Sequence, residues 1–248
     1  MLDMATKGGA KRSQSSRREA PPQAPVAPRN TWIGPVAQLA FVAAAATLVY
    51  SFVAVAREGE VRRKCGSVCL LHPNYAGANR RLPSFSLPDL HGQQVTSDSL
   101  RGKVVVLNFW TKTCGPCLEE MPEIAELAKI LRDRKDVAVV TISIDDGPAA
   151  VKDTLKSILR EEPPFSVLFD PESQVVGAKF GTHLFPETWI IDKRGVIRAR
   201  FDGAREWGSS GVVELVDEVR ADTYCPVTVR EGRPQGEGAQ ICESFGGT

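Results

Sequence analysis

The sequence has almost no net charge and few cysteines. Its 31 basic and 30 acidic residues leave a net charge of +1 over 248 residues, which argues against a uniformly basic nucleic-acid-binding protein. Six cysteines are too few for the disulfide scaffold of so long a chain. They include no Cys-x2-Cys-His haem attachment sequence and no second Cys-x2-Cys pair for a tetrathiolate zinc site. We therefore expect no metal, no other cofactor and no nucleic-acid partner.

The near-neutral total hides a segregation of charge along the chain. The first segment is basic and poor in large apolar side chains, so we expect a disordered tail. A charged linker follows an uncharged stretch, then an acidic globular domain, then a Gly- and Pro-containing C-terminal tail. The five segments and their net charges are 1–30 (+4), 31–56 (0), 57–82 (+4), 83–222 (−6) and 223–248 (−1).

The uncharged stretch, residues 31–56, predicts a membrane anchor. A helix needs about 20 residues to cross the ~30 Å hydrocarbon core of a bilayer, and this run exceeds that length. Trp32 and Tyr50 lie near its two ends, where interfacial aromatic residues are common. We therefore expect one transmembrane helix in contact with lipid, with a buried core helix as the alternative.

Basic residues on the two sides of this stretch predict its orientation. Six Lys or Arg residues precede it, whereas four follow closely within residues 57–64. This bias favours a cytoplasmic N-terminus and places everything after Ala56 in the periplasm, at the inner membrane. Residues 54–56, Ala-Val-Ala, also fit a signal cleavage site, but signal peptides usually have a shorter apolar region of about 7–15 residues. We therefore expect a retained single-pass anchor.

The segment 83–222 shows strand–helix alternation followed by a hairpin and a helix, which indicates an α/β sheet covered on both faces. Apolar runs predict strands at 104–110, 137–144, 167–169, 189–191 and 196–201. Helical spacing or a favourable first turn predicts helices at about 115–132, 148–160, 173–180 and 210–220.

Cys114-Gly115-Pro116-Cys117 follows a predicted buried strand and opens a predicted helix. Free N–H groups and the positive end of the helix dipole stabilise a thiolate there, so Cys114 is the predicted nucleophile. Cys117 lies on the same helical face and is the natural resolving thiol. Half of a zinc site and an inert buried pair are the alternatives.

Four segments in order resemble the thioredoxin superfamily: residues 105–110, 114–122, 185–192 and 195–197. The chain is most similar to the membrane-tethered thioredoxins of the TlpA/ResA and CcmG/DsbE types. The resemblance covers about 83–222. It implies a thioredoxin-like fold, a central mixed sheet with helices on both faces, preceded here by the transmembrane helix.

The resemblance also implies roles for individual residues. Pro186 matches the cis-proline that faces the cysteine pair, so Phe185, Pro186 and Glu187 are the expected substrate-binding residues. Glu120 matches an acidic residue used for proton handling in tethered reductases. For Glu120 and for Glu187, a solvated surface carboxylate remains the alternative.

Three positions depart from related patterns. Asn108 stands where cytosolic thioredoxins carry a buried Asp, a change common in the tethered group, and it leaves Glu120 as the candidate proton acceptor. Thr113 replaces the usual Trp before the first cysteine, which alters the surface that receives a partner. Leu107 stands where a peroxiredoxin would need Pro, which argues against a peroxidase.

The other four cysteines allow three pairings. The pairing with the shortest sequence separations joins Cys65 to Cys69 and Cys225 to Cys242, and we expect these as structural disulfides. Alternatives are free thiols, a second redox pair, or a copper or zinc site made by Cys65, Cys69 and His72.

Together these features predict a membrane-anchored thiol–disulfide oxidoreductase that reduces protein disulfides outside the cytoplasm, for example in cytochrome c maturation. Its partners would be a protein disulfide substrate and a membrane-embedded or soluble electron donor. Copper delivery on a thioredoxin fold and thiol peroxidase activity are the alternatives.

Overall fold

The computed structural model describes residues 33–71, 73, 80–223, 225, 228–230, 233–236 and 239–243. The predicted tail 1–30, Trp32 and the candidate ligand His72 lie outside these residues. The chain divides into two compact units, Met1–Tyr50 and Ser51–Thr248.

Helix α1 spans Ile33–Leu71. It is the helix, among the described residues, that is long and apolar enough to cross a membrane, with a mean hydropathy of 2.2 over its most apolar stretch. The predicted span 31–56 therefore lies within one helix, apart from its first two residues, which the structure does not describe.

The prediction of a linker at 57–82 is wrong for its first half, because α1 continues to Leu71. Residues 57–71 contain no proline. Glu58 and Glu60 each lie four residues before a basic partner, in the favourable order for a helix: Glu60 Oε1 is 2.5 Å from Lys64 Nζ, and Glu58 Oε1 is 3.9 Å from Arg62 Nη2. Tertiary packing of the last turns completes the stabilisation.

Residues 80–223 form an α/β unit that is built on a five-stranded mixed sheet of order β5-β4-β3-β6-β7. β3, β4 and β5 are parallel, and β6 and β7 run antiparallel to their neighbours. These strands are β3 (Val104–Trp110), β4 (Val137–Ser143), β5 (Ser166–Phe169), β6 (Glu187–Ile191) and β7 (Ile197–Asp202). A small antiparallel hairpin precedes them: β1 (Ser86–Pro88) and β2 (Gln94–Thr96).

Both faces of the sheet are covered. β3 is buried along its whole length, so its side chains alternate between two separate hydrophobic clusters. One face packs against the α-helices, namely α2 (Gly115–Leu131), α3 (Pro148–Leu159) and α4 (Ser210–Arg220). The other face packs against the β1–β2 hairpin, a 3₁₀ turn (Ser97–Leu100) and a π-helical turn (Val176–Phe180).

The predicted helix at 173–180 is shorter than expected. The carboxylate of Asp170 accepts hydrogen bonds from the backbone N–H groups of Gln174, Val175 and Val176. These bonds hold the start of the segment as a turn, so only Val176–Phe180 is helical. The other predicted elements of the domain agree with the structure to within a few residues at their ends.

The favoured pairing of the four remaining cysteines is wrong. The structure contains Cys65–Cys225 and Cys69–Cys242 disulfides. Cys65 and Cys69 lie one turn apart on the buried face of α1, where side chains four residues apart project side by side towards the same neighbour. That neighbour is the C-terminal segment, which contains the β8–β9 hairpin (Thr228–Arg230 with Arg233–Gln235) and α5 (Ala239–Glu243).

The last turns of α1 also pack against the α/β unit of residues 80–223. Val68 and Leu71 contact its core cluster. Ser67 Oγ donates a hydrogen bond of 2.5 Å to Glu218 Oε2 on α4, and Arg205 Nη1 donates to the carbonyl of Leu71 at 3.0 Å. The end of the helix is therefore part of the folded unit and does not act as a flexible linker.

Candidate active site

The Cys114–Cys117 pair forms a disulfide at the start of α2. Cys114 is the N-cap residue, and the backbone N–H of Cys117 points at its Sγ, 3.2 Å away. Cys114 is partly exposed, whereas Cys117 is fully buried. A partner can therefore reach Cys114 but not Cys117, which suits a nucleophile with a protected resolving thiol behind it.

The helix start can stabilise a thiolate on Cys114. The first turn of α2 carries no acidic side chain, so nothing there offsets the free N–H groups or the positive end of the dipole. Once the disulfide is reduced, both effects favour the thiolate form of Cys114.

A buried carboxylate fixes the turn between β3 and α2. Asp145 accepts hydrogen bonds from Thr111 Oγ1, from the backbone N–H of Lys112 and from Ser143 Oγ, each at 2.7 Å. These bonds tie the residues before Cys114 to the end of β4. Asp145 was not predicted from the sequence, although its position just after a buried strand was a local signal.

Pro186 lies beside the disulfide. The Phe185–Pro186 peptide bond is cis, as predicted, and the carbonyl oxygen of Phe185 lies 3.5 Å from Cys114 Sγ. Phe185 is partly exposed and Leu184 is 84% exposed. The chain before Pro186 therefore offers backbone and apolar side chains next to Cys114.

Glu120 is buried, with 2% of its surface exposed, so the surface alternative does not hold. Its Oε1 accepts a hydrogen bond from Asn108 Nδ2 at 2.7 Å, and its Oε2 accepts from Trp207 Nε1 at 2.9 Å. Burial raises the pKa of Glu120 to about 7 despite these hydrogen bonds and the charge of Arg205, all of which lower it. A carboxyl with a pKa near 7 can exchange a proton at neutral pH, and Glu120 lies one turn after Cys117 on α2.

Glu187 is also buried, but its carboxylate is occupied within the protein. Its Oε2 accepts two hydrogen bonds from the guanidinium of Arg200, at 3.0 and 2.7 Å, and its Oε1 accepts from Trp189 Nε1 at 2.7 Å and from the hydroxyl of Thr182. A plain surface charge is excluded. The ion pair fixes the start of β6 directly after Pro186.

Trp207 and Arg205 are site residues that the sequence analysis missed. They lie in the irregular segment between β7 and α4, far in sequence from the cysteine pair. The backbone N–H of Arg205 donates to Glu120 Oε2 at 3.3 Å. A tryptophan in an otherwise polar segment was the one available signal.

Nothing in the described part of the chain forms a group of three or more metal-binding side chains. Cys65 and Cys69, the two described members of the candidate copper site, are held in disulfides.

Comparison with known proteins agrees with this geometry. Residues 77–216, more than half of the chain, match the Redoxin family. Thiol-disulfide oxidoreductase ResA of Bacillus cereus is 31% identical over 124 residues, which cover 50% of this chain and 69% of the relative. Thiol:disulfide interchange protein DsbE of Pseudomonas fluorescens is 34% identical over 145 residues, covering 56% and 77%.

A solved structure is similar as well. The solution structure of a candidate thioredoxin from Neisseria meningitidis is 31% identical, with a TM-score of 0.50, and the match covers 59% of this chain and 93% of that one. The chain therefore belongs to the Redoxin family, has a thioredoxin-like fold, and is a thiol-disulfide oxidoreductase of the ResA/DsbE type.

Proposed function

We propose that this protein is a membrane-anchored reductant of protein disulfides, with Cys114 and Cys117 as its redox pair. The observation that carries the proposal is the partly exposed Cys114 at the start of α2, beside the Phe185 carbonyl and in front of the buried Cys117. The substrate would lie along residues 185–187, with its backbone next to Pro186.

The reaction has two exchange steps. In the reduced protein, the Cys114 thiolate attacks one sulfur of the substrate disulfide, and the other sulfur leaves as a thiolate that takes a proton from water. Cys117 then loses its proton to Glu120, and its thiolate attacks Cys114 Sγ, which releases the second substrate sulfur as a thiolate that takes a proton from water. The substrate gains two electrons and the pair becomes the disulfide seen here.

A second dithiol protein must return the Cys114–Cys117 disulfide to the reduced form, because each turnover consumes two electrons. We propose a membrane-embedded or soluble electron donor for this step.

The proposed direction rests on the Gly115-Pro116 dipeptide, which is that of thioredoxin. The proposed location, with the catalytic unit in the periplasm, rests on the apolar part of α1 and on the excess of basic residues before it. The similarity to proteins named ResA and DsbE favours substrates of cytochrome c maturation.

Trapping tests the proposal directly. Cys117→Ser should accumulate mixed disulfides between Cys114 and its substrate, because the resolving thiol is absent. Cells that express this variant should yield covalent adducts on a non-reducing gel, and mass spectrometry should place the linkage at Cys114. The matched control, Cys114→Ser, should trap none. Equal adduct formation by both variants would contradict the assignment of Cys114 as nucleophile.

A further inference from the structure

The two oxygens of Glu120 have different kinds of partner. Oε2 accepts from the indole N–H of Trp207 at 2.9 Å and from the backbone N–H of Arg205 at 3.3 Å. Both groups can only donate. A proton on Oε2 would face two donors, so the neutral acid must carry its proton on Oε1.

Oε1 faces the side-chain amide of Asn108. Asn108 Nδ2 donates to Glu120 Oε1 at 2.7 Å and to Thr188 Oγ1 at 2.9 Å. This arrangement suits the ionised carboxylate, but an NH₂ group cannot accept the proton of the neutral acid. Asn108 Oδ1, which can, is buried and has no hydrogen-bond partner among the described residues.

A half-turn of the amide exchanges these two atoms. Oδ1 then occupies the place of Nδ2, where it can accept both the Oε1 proton of neutral Glu120 and the hydroxyl proton of Thr188. Each orientation makes two hydrogen bonds, to Glu120 and to Thr188, and leaves the other amide atom without a partner among the described residues. The proton on Glu120 therefore decides between them.

We propose that Asn108 is a positioning residue whose side-chain amide turns with the protonation of Glu120 and so stabilises both forms of that carboxyl. The inference rests on the proposed role of Glu120 in catalysis. When Cys117 is deprotonated, its S–H bond breaks, the electron pair stays on sulfur, and the proton forms an O–H bond at Glu120 Oε1. The amide then turns to accept that hydrogen, and it turns back when the proton leaves.

The surroundings of Glu120 make both forms accessible. β3 and β6 contribute the uncharged Asn108 and Thr188, and α2 contributes Cys117 one turn earlier. The segment before α4 contributes Trp207 and the charged Arg205, which itself interacts with Asp202. Burial brings the pKa of Glu120 to about 7, so a small change in pH changes the protonation state.

NMR spectroscopy on the oxidised full chain in detergent micelles tests the turn without any disulfide exchange. Between about pH 5 and about pH 9, the carboxyl carbon of Glu120 should titrate, and the Asn108 side-chain resonances should follow the same curve. Nuclear Overhauser effects between the Asn108 NH₂ and Thr188 should be strong at high pH and weak at low pH. Effects that stay constant while Glu120 titrates would overturn the proposal.

Variants give a second, functional readout. In Asn108→Asp, two carboxyls share one site and retain a proton to higher pH, so the acid limb of the exchange rate should move up by about one pH unit or more. Thr188→Val keeps the Asn108–Glu120 contact, so this variant should move the acid limb by less than half as much as Asn108→Asp. An unmoved acid limb in Asn108→Asp, together with an Asn108 amide that stays fixed while Glu120 titrates, would overturn the inference.

A further variant tests the catalytic role of Glu120 separately from the turning of the Asn108 amide. In Glu120→Gln, the neutral amide should hold Asn108 in the turned orientation at every pH. If the amide of the unmodified protein turns, but Glu120→Gln exchanges disulfides at the unmodified rate throughout, the Asn108 inference stands and the catalytic role of Glu120 does not.

Discussion

Glu120 and Glu218 are two carboxyls that are both desolvated by burial but have different neighbours. Burial raises the pKa of each to about 7. Glu120 lies behind the cysteine pair and accepts hydrogen bonds from several donors, whereas Glu218 on α4 accepts one from Ser67 of α1. We propose proton exchange as the role of Glu120, whereas Glu218 joins α1 to α4.

Ionisation of both carboxyls should lower the free energy of unfolding as the pH rises. A folded-state pKa raised above the unfolded value of 4.5 means that the stability these groups contribute is complete below about pH 4.5 and is lost as the pH rises through about 7. Glu120→Gln and Glu218→Gln should each flatten the fall in unfolding free energy between about pH 5 and about pH 8, as measured by urea titration at several pH values.

The matched pair separates stability from function. Glu120→Gln should also slow disulfide exchange, because the proton acceptor for Cys117 is lost, whereas Glu218→Gln should leave exchange unchanged. Loss of exchange in Glu218→Gln comparable to that in Glu120→Gln would show that the effect is structural and not catalytic.

At the scale of elements, the junction of β3 and α2 determines the reactivity of the pair. β3 is buried at every position, and Asp145 accepts the hydrogen bonds that fix the turn after it. α2 begins with its cap provided by Cys114 itself. The proposed nucleophile, Cys114, is thereby held at the N-terminus of α2, where the helix end favours its thiolate.

Alkylation of the reduced protein measures this effect. Cys114 should react with iodoacetamide at pH values well below about 8.5, the ordinary pKa of a thiol, because the helix start favours its thiolate. Cys117 should react far more slowly because it is fully buried. Peptide mass spectrometry at several pH values would give both rates, and equal rates for the two cysteines would contradict the assigned roles.

These elements could be predicted because their signals are local. The apolar run of β3, the Cys-x2-Cys motif and the Pro186 segment each lie within a few consecutive residues. The extension of α1 to Leu71 has weak local support in the i,i+4 pairs of residues 58–64, but it also depends on packing against α4, which no local pattern reports. The partners of Glu120 were missed for the same reason: Trp207 lies 87 residues away in sequence.

At the scale of the whole molecule, two disulfides join α1 to the C-terminal segment across sequence separations of 160 and 173 residues. The predicted pairing of Cys65 with Cys69 and of Cys225 with Cys242 was wrong because it assumed that cysteines close in sequence are the ones close in space. In the chain-entropy model, a first bridge over a loop of this size contributes about 5 kcal/mol. A second bridge then closes only the short circuit made by residues 65–69 and 225–242, and contributes about 3 kcal/mol.

The losses of unfolding free energy on removing each bridge alone should therefore add up to less than the loss on removing both. Either Cys65→Ser/Cys225→Ser or Cys69→Ser/Cys242→Ser should cost about 3 kcal/mol of unfolding free energy, since the remaining bridge still closes the long loop. Removing all four cysteines should cost about 8 kcal/mol. Denaturant unfolding of the full chain in detergent would measure each value. Single removals that each cost as much as the quadruple variant would contradict this account.

The same two bridges alter what proteolysis can achieve. Every residue between Cys69 and Cys225 lies inside a covalent ring that the disulfides complete. A protease that cuts once anywhere in this ring opens it but releases no fragment, because both pieces stay attached through sulfur. Shedding of the catalytic unit from its anchor by a cut in that region therefore requires reduction of both bridges as well as hydrolysis.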